Sequence, residues 1–321
     1  MIVFIKIISL TLLLTSAVVQ AQTYPQRPVR IVVPYPAGAS YDTVTRVLGE
    51  GLTDRLKQSI IVENRPGASG IIGADLVAKA TPDGYTLGML GDNHTILPAV
   101  ARKTPYDLFR DFTPVMRVAA LENVVVIHPS VPATTLKDWI ALLKANPGKY
   151  RYGSGGTAGS SHLAAARFTQ LARVDMLHVP YKAGGLAVTG MLGNEVQSMV
   201  VNMISAKGHV QGGRLRALAM AARERSPHLP NVPTAAEAGL PGLEVSQFYA
   251  LMAPASTPSA VLARLNSDVR QVVQSDNYRK RLDAQGATPG TGGAQELAAF
   301  LKREIEQNRS TAQAAGITAE Q

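Results

Sequence analysis

An apolar strand that runs into a glycine- and serine-rich loop and then opens a helix occurs twice in this chain, about 120 residues apart. The first copy is Ile31-Val32-Val33-Pro34-Tyr35-Pro36-Ala37-Gly38-Ala39-Ser40-Tyr41-Asp42. The second is Tyr150-Arg151-Tyr152-Gly153-Ser154-Gly155-Gly156-Thr157-Ala158-Gly159-Ser160-Ser161-His162. Each reads as a helix N-terminus with unpaired backbone N–H groups, small residues that let a ligand approach, and hydroxyls that add donors. Strand-like runs at 29–33, 59–63, 86–90, 124–128, 150–153, 176–179, 195–201, 215–221 and 248–253 alternate with helical patterns at 42–56, 70–80, 136–146, 160–171, 185–192 and 235–238. This rhythm predicts an α/β fold, with parallel-rich sheets flanked by helices. Ligands of such folds bind beyond the carboxyl ends of the strands, where both loops fall. Two such loops in two lobes predict a cleft that closes on an anion.

Residues 121–128, closed by Pro129, and 245–254, closed by Pro254, read as crossovers between lobes. They predict lobe 1 from residues 22–123 plus 249–321 and lobe 2 from 124–248, with helices at 258–274 and 295–314 folding back on lobe 1. Two sequential domains are the alternative. Upstream, Lys6 precedes an apolar run over 7–19 that ends in Val19-Gln20-Ala21. That pattern is a secretory signal peptide over 1–21, cleaved near Ala21, and it predicts an exported chain; an uncleaved anchor is the alternative.

The chain has no cysteine, so an exported form gains nothing from disulfides and thiolate metal sites are excluded. Net charge is +9, or +8 with 31 basic and 23 acidic residues once the leader is removed. The excess favours encounter with anions. Nucleic acid is excluded as the partner, because the basic residues are scattered and aromatics are only 5%.

Pro34 and Pro36 stiffen the first loop, Gly38 and Ala39 keep it bare, and Ser40 is placed to cap the helix. A carboxylate held by the amides of Ala39, Ser40 and Tyr41 is the functional reading; an ordinary strand-to-helix turn is the bland one. Asp42 would repel a carboxylate at contact, so its expected task is to steady the loop or accept from a hydroxyl. The second loop is neither a nucleophile elbow nor a P-loop, and Ser160 and Ser161 read as cap and ligand hydroxyls. The six histidines lack metal-ligand spacing, so no metal and no cofactor is expected. His94 and His162 are the two placed to reach the cleft, with a capping or packed ring as the plainer reading. Asn202 ends an apolar strand, a place suited to a ligand hydrogen bond or to a turn.

Collinear stretches then resemble a known family. They are Tyr24-Pro25-Gln26-Arg27-Pro28-Val29-Arg30-Ile31-Val32-Val33-Pro34, Val62-Glu63-Asn64-Arg65-Pro66-Gly67-Ala68, Asp83-Gly84-Tyr85-Thr86-Leu87, His128-Pro129-Ser130-Val131-Pro132, His178-Val179-Pro180-Tyr181-Lys182, Gly213-Arg214-Leu215-Arg216-Ala217-Leu218 and Asn231-Val232-Pro233-Thr234. Over essentially the whole mature chain the sequence resembles the substrate-binding proteins of tripartite tricarboxylate transporters, the Bug family. The resemblance implies a periplasmic, two-lobed Venus-flytrap protein without catalysis; a monomer is expected. Such a protein delivers a small carboxylate to inner-membrane permease subunits.

Family proteins grip a ligand carboxylate between the two loops. Carried over, that role falls on Tyr35, Ala39, Ser40, Tyr41 and Asp42, and on Ser154, Thr157, Ser160 and Ser161. The distal end falls to the loop at Asn93-His94, to Asn202 and to Phe248. Two departures bear on the ligand: Tyr41 stands where a small hydroxyl residue is usual, and Val201-Asn202 replaces an Asp-Asn pair. With Met203 and Phe248 they predict a more apolar and aromatic pocket, and an aromatic mono- or dicarboxylate as ligand. The rivals are a sensor of the same fold with a signalling partner, and an exported serine hydrolase using Ser160 or Ser161.

Overall fold

The computed structural model describes residues 24–100, 103–245 and 247–318; the expected leader over 1–21 lies outside the described residues. Strand β1 (Val29–Val33) has four of its five side chains buried, with no alternation, so it needs cover on both faces. It lies between β2 (Ile60–Asn64) and β3 (Thr86–Gly91), parallel to both. Two antiparallel additions follow, β10 (Gln247–Pro254) on β3 and β4 (Phe112–Leu121) on β10, and β11 (Ala287–Pro289) closes the edge. The six-stranded order is β11-β4-β10-β3-β1-β2. A second, five-stranded sheet has the order β7-β6-β8-β5-β9, from β5 (Asn123–Ile127), β6 (Arg151–Ser154), β7 (Leu177–Pro180), β8 (Ser198–Asn202) and β9 (Arg216–Met220).

The helices cover these sheets for the reason their spacing gives. Helix α1 (Ser40–Leu56) buries Tyr41, Val44, Leu48, Leu52 and Leu56 along one stripe. It stops at Lys57, whose φ of 54° breaks the helical run. Helices α2 (Ile71–Ala78) and α3 (Asp92–Val100) follow β2 and β3, while α4 (Leu136–Ala145), α5 (Ser160–Ala172), α6 (Gly184–Leu192) and α7 (Met203–Gln211) belong to the second sheet. The C-terminal helices α8 (Ser259–Gln274), α9 (Asp276–Gln285) and α10 (Ala294–Ala315) return to the first sheet, as expected. Leu265, Val269, Tyr278 and Leu282 join one of its cores, and Leu297 and Leu301 the other.

The chain leaves the first sheet at Leu121 and enters the second at Asn123, returning at Gln247. Asn123 therefore pairs in the second sheet and Phe248 in the first, each on the far side of the boundary expected for it. The segment around Phe112 was not expected as a strand. Pro114 and Arg117 interrupt its apolar run, and the register shifts along β10 accommodate them. Conversely, the helix expected over 235–238 is a run of turns: Thr234 and Glu237 exchange capping bonds, but Gly239 at φ 89° stops the coil. Helices α3, α7 and α9 and strand β11 were also absent from the sequence reading, which took Asn93-His94 for a loop where α3 begins.

Ile96 and Val100 of α3, Ala312 of α10, and Ala158 and Leu163 from the second sheet's side form one small apolar cluster. It sits beside the two loops and ties both sheets' layers together.

Candidate ligand-binding cleft

Loop 1 is held from beneath. Asp42 accepts from the Gly38 amide at 2.9 Å, from Asn64 Nδ2 at 3.0 Å and from Arg46 Nε at 3.0 Å. Burial works against its charge, but the bonds from Arg46, Gly38 and Asn64 outweigh it and keep the carboxyl below its ordinary range. Asp42 thus steadies the loop, the first of its two expected tasks. Gly38 takes φ 80°, which a glycine adopts without strain. Helix α1 then begins at Ala39, an N-cap with no side-chain hydrogen bond to the helix, so first-turn amides go uncapped.

Three tyrosines form a stack behind this turn. Tyr41 lies between Tyr35 and Tyr249, with ring centroids 4.3 Å and 3.8 Å away. Tyr249 Oη and Ser40 Oγ are 2.6 Å apart, and Tyr41 donates to Asp92 Oδ1 at 3.0 Å. Tyr41 is only 4% exposed, so its ring supports the loop from the core and does not stand open in the cleft. The apolar anchor of α1 has claimed it.

Strand β3 ends at Gly91, and the next three residues open α3. His94 is fully buried, its Nδ1 accepting the Gly91 amide at 3.2 Å; burial lowers its pKa to about 4. It is a packed ring, the plainer of its two readings. Asp92, also buried, has its pKa pushed up to about 6 by desolvation, against hydrogen bonds from Ser160, Tyr41 and Gln247. Asn93 donates to Tyr35 Oη at 2.6 Å.

Loop 2 ends at Gly159, an N-cap without a side chain, so α5 also begins uncapped by its own loop. Ser161 Oγ accepts the Gly155 amide at 3.0 Å, and His162 Nδ1 accepts the Ala158 amide at 3.0 Å. Thr157 is half-buried. Ser154 is fully buried, its Oγ 2.7 Å from His178 Nε2 and 3.0 Å from Gly156 O. The His162 and His178 rings stack at 3.7 Å, and the Tyr152 ring lies 4.9 Å from His178 and 6.1 Å from His162. Burial, and then the neighbouring His178, lowers the His162 pKa to about 4. This serine and imidazole are internal supports: a substrate cannot reach a hydroxyl with no exposed surface.

Loop 2 meets the first sheet's side through a few polar contacts. The Ser160 amide donates to Asn93 Oδ1 at 2.8 Å, and Gln247 Nε2 reaches Asp92 Oδ2 at 3.3 Å and Ser160 Oγ at 3.5 Å. Asp92, Ser160 and Leu163 share a cavity of about 40 Å³ with Glu304 and Asn308 of α10, room for a water or two. A larger groove of about 560 Å³ lies elsewhere, against α8, α9 and β11, and touches none of these residues.

Of the residues expected from sequence, Tyr35, Ala39, Ser40, Tyr41, Ser160 and Ser161 come together around this junction, with Asp42, Ser154 and His94 beneath it. Asn202 does not join them. It caps α7, accepting from the Ser205 amide at 3.0 Å, the turn-forming alternative. Phe248 is 1% exposed and packs edge-on to Phe300, 4.8 Å away, on the opposite face of β10 from Gln247 and Tyr249. The alternation of β10 explains this: residues 247 and 249 share one face and 248 takes the other. Met203 is likewise enclosed in the second sheet's core. The aromatic pocket predicted from Tyr41, Met203 and Phe248 therefore lacks all three of these side chains. Asp92, Gln247 and Tyr249 were missed; strand periodicity from Gln247 would have found two of them.

Among the described residues, no cluster of three His, Asp or Glu side chains could hold a metal ion, and no helix is long and apolar enough to cross a membrane.

Comparison with known proteins places this geometry. Residues 44–317 match the model of the tripartite tricarboxylate transporter family receptor. Protein BugT of Bordetella pertussis is 36% identical over 297 residues, covering 91% of this chain and 90% of its own. An R. palustris protein whose structure holds adipate superposes with a TM-score of 0.88 at 31% identity, covering 92% of this chain and 99% of that one. MatC of Rhodopseudomonas palustris, with bound malate, gives a TM-score of 0.83 at 30% identity, covering 90% and 99%.

Proposed function

The chain belongs to the tripartite tricarboxylate transporter family of receptors, and on that premise we propose that it is a periplasmic solute-binding protein for a small carboxylate. The carrying observation is that α1 and α5 both start from caps that offer no side-chain bond, and that one strand face links the two starts. On β10, Tyr249 bonds Ser40 and Gln247 bonds Ser160. Amides at two such helix starts suit an anion, each adding dipole and hydrogen bonds. Tyr35, Ala39 and Ser40 would meet the ligand from one side, and Thr157, Ser160 and Ser161 from the other. The chain passes between the two lobes at Glu122 and ahead of Gln247, and closing them on the solute presents one shape to permease subunits. Adipate and malate in the relatives support the carboxylate class.

Chemistry at this site is binding alone. Ser161 is committed to the Gly155 amide and Ser160 to Gln247 and Asp92, and neither has an imidazole among its partners in the described residues. A thermal-shift screen against adipate, malate, citrate and benzoate tests the reading, because a ligand of the folded state raises Tm by mass action. A shift with at least one acid that is lost in Ser40→Ala or Ser161→Ala is expected. A flat response to all four would refute the carboxylate class.

A further inference from the structure

Helix α5 is capped from the other sheet. Its own N-cap is Gly159, which has no side chain, and the Ser160 amide is instead taken by Asn93 Oδ1 at 2.8 Å, 67 residues earlier in the chain. The amide orientation of Asn93 is forced, since an N–H at that distance demands an oxygen, and its Nδ2 then donates to Tyr35 Oη. Asn93 sits in the first turn of α3, which the apolar contact of Ile96 and Val100 with Leu163 holds against the second sheet's side. We propose that Asn93 is an interlobe latch: it stands in for a ligand carboxylate at the start of α5, holds the closed form without solute, and must be displaced by any solute that uses that amide. The idea rests on the carboxylate reading only for the displacement; the latch itself is independent of it.

The chain has no cysteine, so a labelled pair can be placed cleanly. Asp54→Cys on α1 and Lys137→Cys on α4 occupy exposed positions on the two sides. The distance between spin labels is measured on mature protein refolded from denaturant, with no carboxylate present. Asn93→Ala removes the acceptor, and Ser160→Pro removes only the donor when compared with Ser160→Ala. Proline suits that position, since Ser160 is the first helical residue and Gly159 before it is extended at φ −83°, ψ 171°.

Each variant is expected to lower the ratio of closed to open molecules about five-fold, the worth of one hydrogen bond. The double variant should be no more open than either alone, because both cut the same bond. If either variant fails to fold, the other still decides. Distances unchanged in the folded variants, or additive opening in the double, would overturn the latch. A silent thermal-shift panel with an opening Asn93→Ala would sink the carboxylate reading and leave the latch standing.

Discussion

His94 offers the sharpest test of the packing beneath the cleft. Its ring is fully buried and its Nδ1 accepts the Gly91 amide, so the neutral ring carries its proton on Nε2. Burial depresses the pKa from 6.5 to about 4. A depressed histidine costs nothing while both states are neutral and destabilises the fold as the unfolded chain takes up protons first. Its penalty is therefore absent above pH 6.5 and grows as pH falls toward 4. At about 1.36 kcal/mol per unit, the full shift amounts to roughly 3.4 kcal/mol, of which about 2 kcal/mol is lost between pH 7 and pH 5. Asp92 acts in the opposite direction: its raised pKa of about 6 means the folded state gains a proton, and stability, over the same interval. His162 acts in the same direction as His94. The variant His94→Gln isolates one group from the three. Urea unfolding at pH 7 and pH 5 should show wild type losing about 2 kcal/mol more than the variant between the two pH values. Equal losses would mean that the ring is hydrated and titrates normally, and that the description of α3 is wrong.

Four further substitutions probe the same region. Asp92→Asn should stabilise the folded chain at pH 7 by about 1–3 kcal/mol, since a buried carboxylate with a raised pKa is a cost there; denaturant midpoints at pH 7 decide the sign. Tyr249→Phe removes the contact with Ser40 Oγ and should cost about 1 kcal/mol in urea unfolding while weakening carboxylate binding by calorimetry. Phe248→Leu should lower stability by about 1 kcal/mol and leave affinity unchanged, because its ring faces Phe300; a large affinity loss would return Phe248 to the cleft. Gly91→Ala would place a Cβ 2.3 Å from Phe248 O and 2.6 Å from Tyr41 Oη, backbone and core atoms that cannot yield, so about 3 kcal/mol or more should be lost by the same assay.

The positions of the loops were legible because both depend on local chemistry. Gly38 and Gly156 take positive φ, and small residues line each turn whatever the tertiary context. The parallel strands and α1 were legible for the same reason: their apolar periodicity is strong and continuous. What failed depended on partners far along the chain. Phe112–Leu121 is a strand because β10 pairs with it through irregular register, and nothing local marks a run broken by Pro114. The Tyr41 phenol was expected in the pocket because it stands where the family usually has a small hydroxyl residue, yet in a helix the residue after Ser40 points about 100° away, and the ring lands between Tyr35 and Tyr249. Phe248 was misplaced by one residue, and in a strand one residue is the whole difference between cleft and core. Asp92 could not be ranked above Asn93 or His94 without knowing which of three adjacent polar residues the turn directs at Ser160.

These placements also decide how much binding energy a solute can express. The apolar contact of Ile96, Val100 and Ala312 with Ala158 and Leu163, and the bond from Ser160 to Asn93, join the two sides directly. A ligand shifts the balance only by the difference between its affinities for the two forms. A carboxylate at the Ser160 amide replaces an existing neutral bond with a charge-assisted one roughly twice as strong, so its net gain there is about half the gross interaction. It also enters beside Asp92, whose ionisation at neutral pH opposes a second negative charge close by. Discrimination therefore falls on the opposite end, at Ser40 and the uncapped start of α1, where no protein side chain already caps the helix. A solute long enough to engage both helix starts gains more than one that merely displaces Asn93.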